Sequence, residues 1–240
     1  MRVLGIIPAR GGSKSIPLKN IVKVCGIPLI AYSIKSAMES ELLVDLIIST
    51  DSLEITKIAK KYGGNVPFLR PSNIATDSAS SIDVVRHALK FMESSKGVLY
   101  DACMLLQPTN PLRTSSQIDQ AINLFASTKL DSVVSMVNVG AMHPHRMYSL
   151  AANGILEPFI KNLDNPMLPR QQLPPIYIRS GDIYLTSRDV VLNGTDLIGE
   201  KSLSMIVKPE NTINIDSETD LVVARSLIKS RKNGNFGEKI

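Results

Sequence analysis

The chain opens on Val3-Leu4-Gly5-Ile6-Ile7, closed by Pro8, and passes at once into Ala9-Arg10-Gly11-Gly12-Ser13-Lys14-Ser15. A short run with no polar position reads as a strand buried on both faces. Glycines and cations directly behind it read as a loop at the strand's carboxyl end. A helix is placed at Pro28–Glu39, with proline at its first position. Strand, loop and helix then recur. Leu46–Ser49 is a second strand, and Asp51 with Glu54 is expected to open the next helix as a capping box. A short strand is expected over Val66–Leu69. Ser80 and Asp83 introduce a helix whose apolar face carries Val84, Ala88, Leu89 and Met92. Cys103–Leu106 is another apolar strand, Thr114 and Gln117 have capping-box spacing ahead of Ile118–Phe125, and Val133–Val137 closes the series. Such strands, separated by helices, need cover on both faces. The fold class is α/β, with a mostly parallel sheet.

The pattern breaks between Pro144 and Pro175, where six of the 14 prolines fall. Proline fixes φ and removes a donor, so this stretch is expected to be loop and edge strand. It reads as an excursion of about 141–182, a lid or dimer arm, within a single domain spanning 1–240. Asp182–Leu185, Leu203–Val207 and Ile213–Ile215 read as returning strands. The last helix is capped by Ser217, with Leu221, Val222, Ala224 and Leu227 as its apolar face. The stretch from Lys229 onward, Lys229-Ser230-Arg231-Lys232 included, reads as a solvated, frayed tail.

Composition narrows the class. At 240 residues and 44% apolar content the chain can build a real core. A net charge of +5 favours small anions over a nucleic-acid backbone, since the basic residues sit in motifs rather than in runs. Single-strand binders interleave cations with aromatics, and only 5% of this chain is aromatic, with no tryptophan. A non-catalytic nucleotide- or nucleic-acid-binding module is the different-class alternative. Two cysteines, Cys25 and Cys103, make no disulfide framework and read as core thiols. No segment approaches 18 uninterrupted apolar residues, so no membrane partner is expected. The run ending at Pro8 is too short for a secretory signal, and a cytoplasmic protein is expected.

Ligands of parallel sheets bind at the carboxyl ends of strands. In the first loop, glycines let backbone N–H groups approach an anion, and Arg10, Lys14 and Lys19 supply three cations, a match for a triphosphate. The loop is neither a Walker A motif nor GxGxxG. Taken alone, a phosphate cradle and a solvated turn are both open readings. A second loop, Gln107-Pro108-Thr109-Asn110-Pro111-Leu112-Arg113, directly follows an apolar strand. Its two prolines stiffen it, and Gln107 stands at the strand's end. His143 and His145 lack a third ligand at zinc-site spacing. His87 reads as packing, and no GxSxG elbow is present.

Together these stretches resemble the nonulosonate cytidylyltransferases, the CMP-sialic acid synthetase family. The matching residues run from Ile7-Pro8-Ala9-Arg10 and Ser13-Lys14 through Pro17-Leu18-Lys19-Asn20 and Ser49-Thr50-Asp51. They continue with Leu69-Arg70-Pro71, Ala75 to Ser81, Gln107-Pro108-Thr109 and Leu112-Arg113. Pro169 to Pro174, Gly181-Asp182-Ile183-Tyr184 and Ile213-Asn214-Ile215-Asp216 complete the set. The order is colinear over nearly the whole chain.

The resemblance implies a Rossmann-like nucleotidyltransferase fold and a reaction of CTP with a nonulosonic acid. The sugar's anomeric hydroxyl attacks the α-phosphorus, CMP is transferred and pyrophosphate leaves. It implies that Arg10, Lys14 and Lys19 are the catalytic cations on the phosphates. Gly12, Asn20, Arg70, Ala79 and Ser81 would complete the nucleotide site, and Gln107, Arg146, Arg170 and Tyr184 the sugar pocket. It implies Mg2+ or another divalent cation such as Mn2+ on Asp216, with Asn214 standing where the family has a second acid. It also implies a homodimer in which the excursion crosses the interface. Ser15 replaces a frequent glycine. Asp182 is a candidate contact for a sugar substituent. The same-fold alternative is a synthetase for the eight-carbon keto sugar Kdo.

Overall fold

The computed structural model describes residues 1–13, 15–161 and 167–233. Along the chain lie β1 (Val3–Pro8), the ribbon β2 (Lys23–Val24) and β3 (Ile27–Pro28), α1 (Leu29–Met38), β4 (Asp45–Ser49) and α2 (Leu53–Lys61). Then come α3 (Ser81–Lys96), β5 (Ala102–Leu105), α4 (Ser115–Ala126), β6 (Ser132–Asn138), and the hairpin β7 (Tyr148–Leu150) and β8 (Leu156–Pro158). β9 (Tyr177–Ser187), α5 (Arg188–Asn193), β10 (Ser202–Ile206) and α6 (Glu218–Lys232) complete it. Six strands form one sheet in the order β10-β6-β9-β5-β1-β4, parallel except for β9, which runs antiparallel to both its neighbours.

Alternation along β1 shows how the sheet is covered. Val3 and Ile7 point into one apolar cluster with α1 and α4, while Leu4 and Ile6 point into another with α3 and α5, and all four are fully buried. At about 1.5–3 kcal/mol per buried aliphatic side chain, these four contribute roughly 6–12 kcal/mol to a burial drive shared with the helices on both faces. A third cluster places Leu29 and Tyr32 of α1 against Ile215 and against Leu221, Ala224 and Ile228 of α6. α1 is thus packed on two sides.

The caps follow the sequence signals with two exceptions, at α2 and α1. Ser80 accepts from the Asp83 N–H, and Thr114 with Gln117 forms a reciprocal box. Ser217 does the same with Asp220. At α2 the cap is Ser52, which accepts from the Ile55 N–H at 3.3 Å. Asp51 is spent elsewhere, accepting from the Gly11 N–H at 2.9 Å. Pro28 is the N-cap of α1, one position before the helix.

Two expected strands are absent. Over 66–69 only Leu69 bridges, to Thr50, because Pro67 has no N–H to give a ladder. Ile213–Ile215 forms no ladder either. Ile215 turns inward into the third cluster, and its N–H bonds to the Thr109 carbonyl at 2.9 Å. On α6, Val222 is 63% exposed, and the buried face is instead Leu221, Ala224, Ile228 and Arg231. Arg231 is therefore not part of a solvated tail. It is 2% exposed and donates to the carbonyls of Leu112 and Glu210 and to Asn211 Oδ1.

The β7–β8 hairpin stands outside the main sheet. The main sheet resumes at Tyr177, within the range assigned to the excursion. Register explains how β9 reaches the site. Leu105, the end of β5, lies opposite Tyr184, so residues 177–183 run past the carboxyl end of β5. The β6–β9 register shifts between Val134 and Met136. Ser135 fills that bulge, its Oγ accepting from the Ile183 N–H and from Ser180 Oγ and donating to the Ile183 carbonyl. No described helix is long and apolar enough to cross a membrane. Among the described residues no group of three or more His, Cys, Asp or Glu side chains could hold a metal ion.

Candidate active site

Loops from the carboxyl ends of β1, β4 and β5 meet above the sheet and enclose a cleft of about 490 Å³. Arg10, Ser13, Ser15, Lys19, Asn20, Arg70, Gln107, Asn214 and Asp216 line it. Beside it lies a second pocket of about 380 Å³, lined by Ser81, Arg179, Gly181, Tyr184 and Asp196. Gln107 and Asn214 belong to both. The two pockets share a wall.

The first loop is held from three sides. The Asp51 carboxylate takes the Gly11 N–H. The Asn20 amide donates to the Arg10 carbonyl at 3.0 Å, from a side chain that is almost wholly buried. Leu18 sits at φ 51, a left-handed conformation that costs a residue with a Cβ about 1–2 kcal/mol. That turn starts the 3₁₀ segment Lys19–Ile21 and aims Lys19 into the cleft.

Two of the cleft cations are already paired with acids. Arg10 pairs with Asp77. Lys19 Nζ lies 2.9 Å from Asp216 Oδ1, and Asp216 Oδ2 accepts from the Asn214 amide at 2.5 Å. Arg70 is 7% exposed, its guanidinium donating to Ser49 Oγ at 3.0 Å and to the Ser49 carbonyl. Burial brings its pKa down to about 10. Asp51 opposes that shift and Arg10 adds to it, and the side chain stays a cation at neutral pH.

Between the pockets Gly181 is required twice over. Its φ is +82°, and a Cβ there would stand 3.1 Å from Gln107 Oε1. Tyr184 closes the second pocket, and burial pushes its hydroxyl pKa up. Asp182 faces neither pocket. It is fully buried, accepts from Thr212 Oγ1 at 2.7 Å, and burial holds its carboxyl above the usual range. A substrate-facing role for Asp182 is thereby corrected. Its side chain is held inside the fold against Thr212 and lines neither pocket.

Of the residues expected from sequence, the fold brings Arg10, Lys19, Asn20, Arg70, Gln107, Asn214 and Asp216 to the first cleft, and Ser81, Gln107 and Tyr184 to the second. Gly12 is exposed with open space around it, and Ala79 lies one residue ahead of the α3 cap Ser80 without lining either pocket. Lys14 lies outside the described residues. Arg146 and Arg170 are exposed and reach neither pocket of their own chain. Arg170 borders a separate hollow of about 220 Å³ with His143 and Pro174. Sequence reasoning gave no role to Asp77, Arg113, Arg179 or Asp196. Asp77 and Arg113 stand within the quoted motifs, but nothing in the sequence signals Arg179 or Asp196.

The arrangement suits nucleotidyl transfer: cations and backbone amides for a polyphosphate, and a polar second pocket for an acceptor. The profile of the family described as "Cytidylyltransferase" matches residues 4–179. A CMP-N,N'-diacetyllegionaminic acid synthase of Legionella pneumophila is 33% identical over 236 residues, covering 95% of this chain and 97% of that one. A pseudaminic acid cytidylyltransferase of Campylobacter jejuni is 33% identical over 246 residues, covering 98% and 100%. Among solved structures, a CMP:2-keto-3-deoxy-manno-octonic acid synthetase complexed with CTP superposes with a TM-score of 0.71 at 17% identity, covering 96% of this chain and 99% of that one. The chain belongs to the cytidylyltransferase family.

Proposed function

We propose that the protein transfers CMP from CTP to the anomeric hydroxyl of a nonulosonic acid and releases pyrophosphate. One observation carries this reading: the cation-lined cleft and the second pocket meet at Gln107 and Asn214, so a donor phosphate and an acceptor oxygen can adjoin there. Arg10 and Lys19 exchange their carboxylate partners for triphosphate oxygens, and the charge building on the leaving pyrophosphate meets fixed cations. Arg70 and Asn20 belong to the nucleotide side. Tyr184, Ser81 and Gln107 belong to the acceptor side, where Arg179 supplies a cation for the sugar carboxylate. The names of the full-length relatives support the acceptor class.

Mg2+ fits the rim. Asp216 offers one carboxylate and Asn214 an amide oxygen, and magnesium usually takes one or two carboxylates beside substrate phosphates. When bound, the ion would neutralise phosphate charge. Within the chain that charge work falls to Lys19 and Arg10. A second copy of the chain is proposed to cover the excursion, where Met142, Leu150, Ile155, Leu156 and Phe159 are exposed. Arg146 and Arg170 would then reach the partner's site. The two thiols are unpaired, which accords with a reducing cytoplasm.

The test is CTP-dependent pyrophosphate release across sialic, legionaminic and pseudaminic acids, Kdo and a sugar 1-phosphate. Release with one or more of the nonulosonic acids is expected. Release with Kdo or the sugar 1-phosphate alone would overturn the acceptor assignment.

A further inference from the structure

The segment carrying Asn214 and Asp216 belongs to no strand or helix, yet these two side chains form one wall of the cleft. Regular structure does not hold it there, so individual bonds must. Ile215 is buried in the third cluster with its N–H on the Thr109 carbonyl at 2.9 Å, and the Asp216 N–H donates to Asp220 Oδ2 at 3.0 Å. A further tether, on the Asn110 and β9 side, passes through Thr212. Its hydroxyl accepts from the Asn110 amide at 2.8 Å and donates to Asp182 Oδ2 at 2.7 Å. Asn110 and Asp182 are both fully buried, so neither can move to follow the segment.

The anchor is itself fixed. Arg113, 1% exposed, donates to the Asp182 carbonyl at 2.6 Å and through both terminal nitrogens to the Gln107 carbonyl at 3.2 Å. One buried network therefore joins the Gln107 loop, the bulge of β9 and the wall at 214–216. The other Asp182 oxygen has no hydrogen-bond partner, so the buried carboxyl is satisfied by the Thr212 hydroxyl with Ser180 beside it.

We propose that Thr212 is a positioning residue: its hydroxyl, held between the Asn110 amide and the Asp182 carboxylate, sets where Asn214 and Asp216 stand against Lys19. Thr212 touches no substrate. Its effect is on the geometry of the polyphosphate end of the cleft, and in this it rests on the nucleotide reading given above.

Thr212→Val keeps the shape and removes both bonds, and Thr212→Ser keeps both. Two readouts separate the tether from the nucleotide reading. Amide hydrogen exchange of the free protein reports the Ile215 N–H, which is expected to exchange at least roughly tenfold faster in Thr212→Val and at the wild-type rate in Thr212→Ser. Calorimetry of CTP binding is expected to show affinity weakened roughly tenfold in Thr212→Val when Mg2+ is present, but little changed in EDTA, with Thr212→Ser restoring it. Wild-type exchange at Ile215 in a folded Thr212→Val protein would overturn the tether. Altered exchange with unaltered CTP binding would show the segment tethered but the nucleotide placed elsewhere, which sinks the positioning role together with the cleft assignment. If Thr212→Val does not fold, Thr212→Ala removes the same two bonds and is read in the same way: faster exchange at Ile215 supports the tether and an unchanged rate overturns it.

Discussion

Lys19 and Asp216 stand 197 residues apart in sequence, yet the lysine Nζ lies 2.9 Å from the acid's Oδ1 in the cleft. The lysine side chain is 14% exposed and the aspartate 64%, so the pair is a mostly covered cation beneath a wet carboxylate. In the proposed reading, a polyphosphate entering the cleft would meet a charge already pointed at it. Lys19→Met is expected to lower kcat/KM for CTP about 100-fold through lost transition-state charge stabilisation. Stability should move by less than about 1 kcal/mol, since partly exposed pairs contribute little. Steady-state kinetics beside thermal melts check this. Equal kinetics would remove Lys19 from the phosphate cradle.

Arg10 is held by Asp77, and in the proposed reaction the CTP phosphates would compete with that acid for it. Asp77→Asn is therefore expected to lower KM for CTP by up to about fivefold at low salt, the factor that a partly exposed ion pair can supply. The gain should shrink as salt is raised. A raised KM would mean that Asp77 serves the bound nucleotide rather than competing with it.

Gly181→Ala tests the shared wall. The added Cβ meets Gln107 Oε1 at 3.1 Å, and alanine is strained at φ +82°. A Tm drop of about 3 °C is expected for roughly 1 kcal/mol of strain in a chain this long. KM for the sugar acid should rise more than KM for CTP. A rise confined to KM for CTP would place Gln107 on the nucleotide side alone.

Glu93 gives a pH dependence remote from the site. Its carboxylate takes two bonds from Arg188, at 2.8 and 3.0 Å, and these hold its pKa below the ordinary 4.5 against the opposing effect of burial. A carboxylate lowered in the fold is protonated more readily in the unfolded chain. Its stabilisation is therefore complete above the ordinary value and is lost as pH falls from there through the folded pKa. In urea titrations, wild type should exceed Glu93→Gln in midpoint at pH 7, and the gap should narrow below pH 4.5. A gap that widened in acid would reverse the assignment.

Arg231 shows what a linear reading misses. In sequence it lies in Lys229-Ser230-Arg231-Lys232, a polar run indistinguishable from a solvated end. In the fold it stands ten residues after Leu221 on one helical face, and the buried Leu112 carbonyl and the Glu210 carbonyl wait there for a donor. Asp182 is the converse case. Its place in Gly181-Asp182-Ile183-Tyr184 suggested a ligand contact, and the fold holds it inward against Thr212.

The sequence by itself determined the layered α/β class, most helix caps and the two loops that carry Arg10 and Gln107. These rest on local causes: periodic burial, side-chain oxygens three residues from an N–H, and glycine or proline at fixed places. Tertiary structure alone decided that β9 would enter antiparallel between β5 and β6, bringing Gly181 over Gln107, and that an unpaired segment would set Asp216 against Lys19. Those outcomes depend on register and on contacts between residues far apart in the chain, which no local pattern of residues encodes.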